Sequence, residues 1–155
     1  MPIHQGFRDL LKEFNGAKVE YLVVGAYAVA FHAEPRYTKD LDLWVNPTPR
    51  NARRVHAALS RFGAPLSEVK VGDFAKPGIV YQMGVEPVRV DILTSIAVLD
   101  FTSAYRRRLR SSYGGVRISI LSIGDLIASK KAAGRPQDLL DVETLKRKMA
   151  RRSRS

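Results

Sequence analysis

The chain has 155 residues, 26 of them Lys or Arg against 15 Asp or Glu, for a formal charge of +11, and it has no cysteine. That length fits one domain with its own core, and 45% apolar with 26% charged residues excludes a wholly disordered chain. Without cysteine, disulfide scaffolds, zinc ribbons, thiol catalysis and Fe–S clusters are also excluded, and no apolar run reaches the roughly 18 residues of a membrane span.

The N-terminus lacks the charged-then-apolar layout of a signal peptide, so a cytoplasmic protein without a membrane partner is expected. Phe7, Leu10, Leu11 and Phe14 recur at helical spacing, which predicts a helix over 5–15 ending near Asn15-Gly16. Val19 to Val24 reads as a buried strand. Ala26 to His32 reads as a helix that Pro35 stops. Leu41, Leu43 and Val45 alternate with Asp40, Asp42 and Trp44, the signature of a half-buried strand. Residues 50–62 form a basic amphipathic helix around Val55, Leu59 and Phe62, and 63–78 are rich in Gly and Pro and carry no clear period. Ile79 to Met83 and Val88 to Leu93 predict a hairpin turning at Gly84 to Pro87. Residues 99–107 read as a helix, and Gly114-Gly115 marks a second hairpin over 108–121. Ser122 with Asp125 starts a helix that Gly134 ends, and Pro136 opens a last helix to about Met149. The expected fold is α+β, a small mixed or antiparallel sheet flanked by helices. Residues 1–145 form the expected single domain, and 146–155 a basic C-terminal tail.

Period-2 geometry puts the Asp40 and Asp42 carboxylates on one strand face, with Leu41 and Leu43 facing the core. Adjacent carboxylates repel unless a cation lies between them, although simple polar-out alternation gives the same pattern. Two further features favour chemistry. Gly25-Ala26 joins a strand to a helix, and a small-residue turn there leaves backbone N–H groups open to phosphate. Asp91 adds a third carboxylate on an alternating strand, opposite in face to Val90 and Ile92. Strand carboxylates beside such a turn are the parts of a Mg²⁺-dependent nucleotide site, since Mg²⁺ is usually held by carboxylates together with substrate phosphates. His32 reads as a packed residue, whereas Trp44, on the face of the aspartates, could pack or stack on a base.

Gly25-Ala26, a spacer containing Ala28, His32, Arg36 and Thr38, and then Asp40-Leu41-Asp42 resembles the G-[GS]…D-x-D signature of the polymerase-β-type nucleotidyltransferase superfamily. Lys130, Arg135, Asp138 and Asp141 follow in the order of the K…R…D-x-x-D motif and resemble its AbiEii-type branch, with Ala26 in place of the usual Gly or Ser. The resemblance implies a polymerase-β-like nucleotidyltransferase fold and transfer of an NMP from an NTP to an acceptor hydroxyl. By the same resemblance Asp40, Asp42 and Asp91 would hold Mg²⁺ or Mn²⁺. Lys130 would neutralise the triphosphate, with adjacent Lys131 as the alternative. Gly25, Ala26, Arg36, Lys39, Arg135 and Asp138 would surround the nucleotide, although Arg135 and Asp138 could instead hold the lysine's helix. An exposed Lys130 would add little to stability.

The charge excess is uneven. Residues 146–155 contain six basic residues and no acid, and Arg106, Arg107, Arg108 and Arg110 form a second cluster. Such a balance points to a polyanionic partner, and the expected acceptor is RNA or tRNA. The branch also includes toxins, so a role in a toxin–antitoxin system with an antitoxin protein as partner is part of the expectation. A nucleic-acid-binding module that kept the fold but lost turnover, and transfer to a small antibiotic, are the alternatives.

Overall fold

The computed structural model describes residues 3–33, 39–85 and 88–154. The elements follow the sequence pattern closely. They are α1 (Gln5–Gly16), β1 (Tyr21–Val24), α2 (Gly25–His32), β2 (Asp40–Val45) and α3 (Pro49–Phe62), then a 3-10 turn over Val71–Ala75. β3 (Val80–Val85), β4 (Val88–Leu93), α4 (Phe101–Arg106), β5 (Leu109–Tyr113), β6 (Val116–Ile120), α5 (Ile123–Ala133) and α6 (Pro136–Arg154) complete the fold.

The six strands form one mixed sheet in the order β3-β4-β2-β1-β6-β5. β2 runs antiparallel to β1 but parallel to β4. The parallel β2/β4 pair needs a crossover, and α3 with the 3-10 turn lies within it. Both hairpins form. In the first, Val85 pairs with Val88, so the ladder extends into the predicted turn; residues 86 and 87 lie outside the described residues.

The helices take the ends their sequences encode. Thr48 caps α3 by accepting from the Asn51 amide, with Pro49 at the first helical position and Gly63 closing the helix at φ 93°. Ser122 caps α5 through the Asp125 amide, and Gly134 ends it at φ 68°. Trp44 is fully buried edge-on against Phe101 at 5.0 Å, so packing and not base stacking is its role. Phe14, Phe74, Leu22, Leu43, Leu59 and Ile92 fill the same continuous core. No helix among the described residues is long and apolar enough to cross a membrane.

One element departs from expectation. α6 runs unbroken to Arg154, across the predicted boundary at residue 145 and past the predicted end near Met149. Tertiary anchors explain the extension. Met149 Cε lies 3.9 Å from the position a Cβ would take at Gly124 on α5. Arg152 Nη2 donates to the His32 carbonyl at 3.2 Å, and its Nη1 lies 3.4 Å from His32 Nδ1. The residues read as a tail are therefore helical and partly docked.

Candidate active site

β2 and β4 bring the strand carboxylates together. Their parallel register sets Asp42 against Asp91 and Asp40 against Arg89. On the other side of β2, Asp42 is the partner of Val24, the last residue of β1. The chain turns there into α2 through Gly25 at φ 66°, a left-handed conformation that glycine adopts without steric cost. A Cβ at this position would collide with the Asp42 carboxylate, so the glycine is also the space that carboxylate occupies.

α2 begins with Val24 at its N-cap and no side-chain cap. Its first turn carries the backbone N–H groups that a helix leaves without internal partners, and Gly25 and Ala26 line a cleft of about 340 Å³. Asp42, Lys130, Arg135, Gln137, Asp138 and Asp141 form the rest of the lining. The sequence-predicted Lys130 thus shares one cavity with the helix N-terminus and the strand carboxylate. Lys131 does not. It is exposed and contacts Lys146, which lowers its pKa.

Lys130 is held and largely buried, its side chain only 14% exposed. Nζ lies 3.3 Å from Asp138 Oδ1 and 3.1 Å from Asp141 Oδ2. Both acids are buried. Asp138 also accepts from Arg135 Nε at 2.7 Å and from the Arg135 amide at 3.2 Å, and these bonds with Lys130 keep its carboxyl below the usual range. Asp141 Oδ1 accepts from Gln137 Nε2 at 3.2 Å. The Asp138/Asp141 spacing places both carboxylates on one helical face toward the lysine. The expectation of a freely exposed Lys130 is corrected: it is the centre of a buried charge cluster.

The carboxylates of the sheet are short of positive charge. The Asp42 carboxyl is pushed up to about 7, first by burial and then by Asp91 and Asp40, against the lowering effect of Lys130 and Arg89. Arg89 Nη2 lies 3.4 Å from Asp40 Oδ2, and Nε lies 3.7 Å from Asp91 Oδ1. Asp40 Oδ1 and Asp91 Oδ1 are buried and accept no hydrogen bond among the described residues. With Arg89 standing between them, no group of three His, Asp or Glu side chains among the described residues forms a preassembled metal cage.

Of the other expected nucleotide contacts, Lys39 is exposed just before β2, its carbonyl accepting from the Arg89 amide at 3.2 Å. Arg36 lies outside the described residues. Sequence reasoning missed Arg89 and Gln137. Arg89 was detectable, because it lies two residues before Asp91 on a strand and therefore on the same face. Gln137 carried no such signal. His32 is buried, with Nε2 2.7 Å from the Leu121 carbonyl, so it is a packed residue as expected.

Residues 4–147 match the family described as nucleotidyltransferase of unknown function (DUF6036), and the chain belongs to that family. Solved structures share the fold. The lincosamide antibiotic adenylyltransferase LnuA, lincomycin-bound, aligns with a TM-score of 0.59 at 15% identity, over 94% of this chain and 98% of that one. The antibiotic-resistance factor ANT(2'')-Ia aligns at 0.59 and 14% identity, over 97% and 91%. An antigenic nucleotidyltransferase-like protein from Paracoccidioides brasiliensis aligns at 0.52 and 15% identity, over 90% and 73%. No curated protein matches the chain.

Proposed function

We propose that this member of the nucleotidyltransferase family transfers an NMP from an NTP to an acceptor hydroxyl on RNA, using Mg²⁺ or Mn²⁺ held by Asp40, Asp42 and Asp91. The observation that carries the reading is the cross-strand register of Asp42 with Asp91 beside the uncapped first turn of α2.

The residues fit a divalent ion. Two buried carboxylate oxygens without hydrogen bonds among the described residues, Asp40 Oδ1 and Asp91 Oδ1, flank an Asp42 whose ionisation burial and its two neighbours oppose. Hard oxygen donors of this kind suit Mg²⁺. Bound divalent ions would supply Lewis-acid stabilisation of charge on the transferred phosphoryl group and on the attacking oxygen. The chain's own groups do the rest. The amides of Gly25 and Ala26 bind phosphate oxygens. Lys130, fixed by Asp138 and Asp141, adds a cation at the cleft wall without having to be ordered on binding. The other oxygen of the Asp91 carboxylate accepts the proton of the attacking hydroxyl, and pyrophosphate leaves from the α-phosphorus.

The meeting of Lys130, Arg135, Asp138 and Asp141 in the cleft supports the AbiEii-type reading, and with it a toxin role checked by an antitoxin protein. The charge of +11 supports an RNA acceptor. A small-molecule acceptor is the second reading, favoured by the fold shared with LnuA and ANT(2'')-Ia over nearly their whole lengths.

The test is incubation with each α-labelled NTP and Mg²⁺, in separate reactions with total RNA and with hydroxyl-bearing antibiotics. Label on RNA supports the first reading and label on a drug the second. Label on neither, with wild type indistinguishable from Asp42→Asn, leaves a binding module without turnover.

A further inference from the structure

The exposed face of α3 carries an unbalanced charge. Arg50, Arg53, Arg54 and Arg61 fall at helical spacing on one side, with the small Ala57 between them, opposite the buried Ala52, Val55, Ala58 and Leu59. Together with Gly16 and Ala17 at the end of α1 they line a cavity of about 350 Å³. This cavity shares no residue with the catalytic cleft.

Helix energetics alone does not favour this arrangement. A solvated helix face usually alternates charges in i,i+4 pairs of opposite sign. Here Arg50 and Arg54 are a like-charged i,i+4 pair, which costs a few tenths of a kcal/mol. Arg50 lies in the first turn of α3, where the helix dipole adds positive potential and disfavours a cation, whereas Arg61 in the last turn is favoured by it. The first turn contains no acid. No acidic side chain among the described residues pairs with any of the four, and the one bond formed is from Arg54 Nη1 to the Lys18 carbonyl at 3.2 Å. An anion in the cavity would offset each of these unfavourable terms by its own attraction to the arginines. Arginine is also the cation whose planar fork matches phosphate in a bidentate way.

The basic segments singled out in the sequence are more committed. Arg107 forms a bidentate pair with Asp125, both bonds 3.0 Å. Arg108 stacks 3.8 Å over the Tyr105 ring, and Arg152 binds His32. Among the described residues, α3 thus presents its arginines to solvent with fewer internal partners than those segments do.

We propose that the Arg50/Arg53/Arg54/Arg61 face of α3 is the surface that grips the sugar-phosphate backbone of an RNA substrate, apart from the residues that line the cleft where its hydroxyl reacts. The proposal rests on the RNA-acceptor reading. From Arg50 to Arg61 the helix rises about 16 Å, enough to meet several consecutive phosphates. The contacts are to backbone only, so binding is sequence-tolerant and strongly dependent on salt.

The test is filter binding of labelled total tRNA to the full chain across a salt series, for wild type and for the fourfold Arg50→Gln, Arg53→Gln, Arg54→Gln, Arg61→Gln variant. Loss of the four phosphate contacts should lower the slope of log K against log salt by about 3 and weaken binding by up to about 1,000-fold at 0.1 M salt. The fourfold Arg-to-Lys variant should restore most of both. Glutamine keeps helix propensity and removes like-charge repulsion, against loss of the Arg54 bond to the Lys18 carbonyl, so stability should change by no more than about 1 kcal/mol, and binding of a nonhydrolysable NTP should be unchanged. A Gln variant that holds tRNA with wild-type affinity and slope overturns the α3 surface while leaving RNA as acceptor. A wild-type protein that neither binds nor labels RNA overturns the acceptor reading itself, and the α3 surface with it.

Discussion

Gly25 and Asp42 share one volume: the Cβ that any other residue would carry at position 25 collides with the Asp42 carboxylate. Gly25→Ala would force a side chain into a positive-φ position and push Asp42 off its place opposite Asp91. The expected outcome is a loss of transfer of about 100-fold, the scale of a misplacement near 1 Å, with destabilisation of about 1–3 kcal/mol. Single-turnover kinetics and thermal melting measure the two effects. Normal turnover in Gly25→Ala would mean that Asp42 need not stay where the sheet holds it.

Asp42 sets a pH dependence whose sign can be worked out. Its carboxyl is raised to about 7 in the folded chain, from an ordinary value near 3.8. Between those values the unfolded chain releases a proton that the folded chain keeps. In chelator, stability from this group is therefore greatest below about pH 4 and is lost as pH rises through 7. Asp42→Asn removes the effect. The variant should melt like wild type near pH 4 and progressively above it toward pH 8, by at most about 4 kcal/mol. Adding Mg²⁺ should narrow the gap at pH 8 by stabilising wild type alone. A difference between the two proteins that stays flat from pH 4 to 8 counts against the charge crowding described for the site.

These two residues show what the sequence made legible. Strand period and the order of Gly25, Asp40, Asp42 and Asp91 placed the carboxylates on one sheet beside a helix start, because two-residue alternation and a glycine turn are local properties. The pairing of β2 with β4 is not local. It depends on a crossover of more than 40 residues, and no feature of either strand states the register that sets Asp42 against Asp91. Arg89 shows the same limit: alternation gives its face, but only the assembled sheet shows that Asp40 is its neighbour. The last helix outruns its sequence pattern for a related reason. Its polar outer residues carry no apolar period, and the bond that ties its far end down is to His32, distant in sequence.

Lys130 couples stability to nucleotide binding. Lys130→Ala leaves Asp138 with Arg135, and Asp141 without its nearest cation in a buried position. The variant should lose about 1–3 kcal/mol, the scale of a lost hydrogen bond to a charged group, and raise the KM for NTP. Lys131→Ala should melt and turn over close to wild type, since Lys131 is exposed and sits beside another cation. Lys130→Ala with Asp141→Asn tests the coupling: removing the buried negative charge that faced the lysine should recover part of the stability but none of the NTP binding. Recovery of both would assign Lys130 a purely structural role.

The carboxyl-terminal half of α6 should contribute to folding as well as to charge. His32 is buried, and burial lowers its pKa, with Arg152 acting in the same direction and the Leu121 carbonyl opposing. His32 is therefore neutral at pH 7, and its Nδ1 and carbonyl face the Arg152 guanidinium. A chain ended after Leu145 loses this contact together with Met149, whose Cε lies 3.9 Å from where a Cβ would stand at Gly124. It should melt lower by about 1–3 kcal/mol, the range for a hydrogen bond to a charged group. Arg152→Gln alone should reproduce part of that loss. Replacing Lys146, Arg147 and Arg151 by Gln while keeping Arg152 should cost less than 0.5 kcal/mol, as exposed substitutions do. Because His32 has a lowered pKa, its contribution is present above about pH 6.5 and is lost as pH falls. The melting difference between wild type and Arg152→Gln should accordingly be measured at pH 7.5. If the truncated chain and wild type melt together there, the far end of α6 is not docked on α2 in solution.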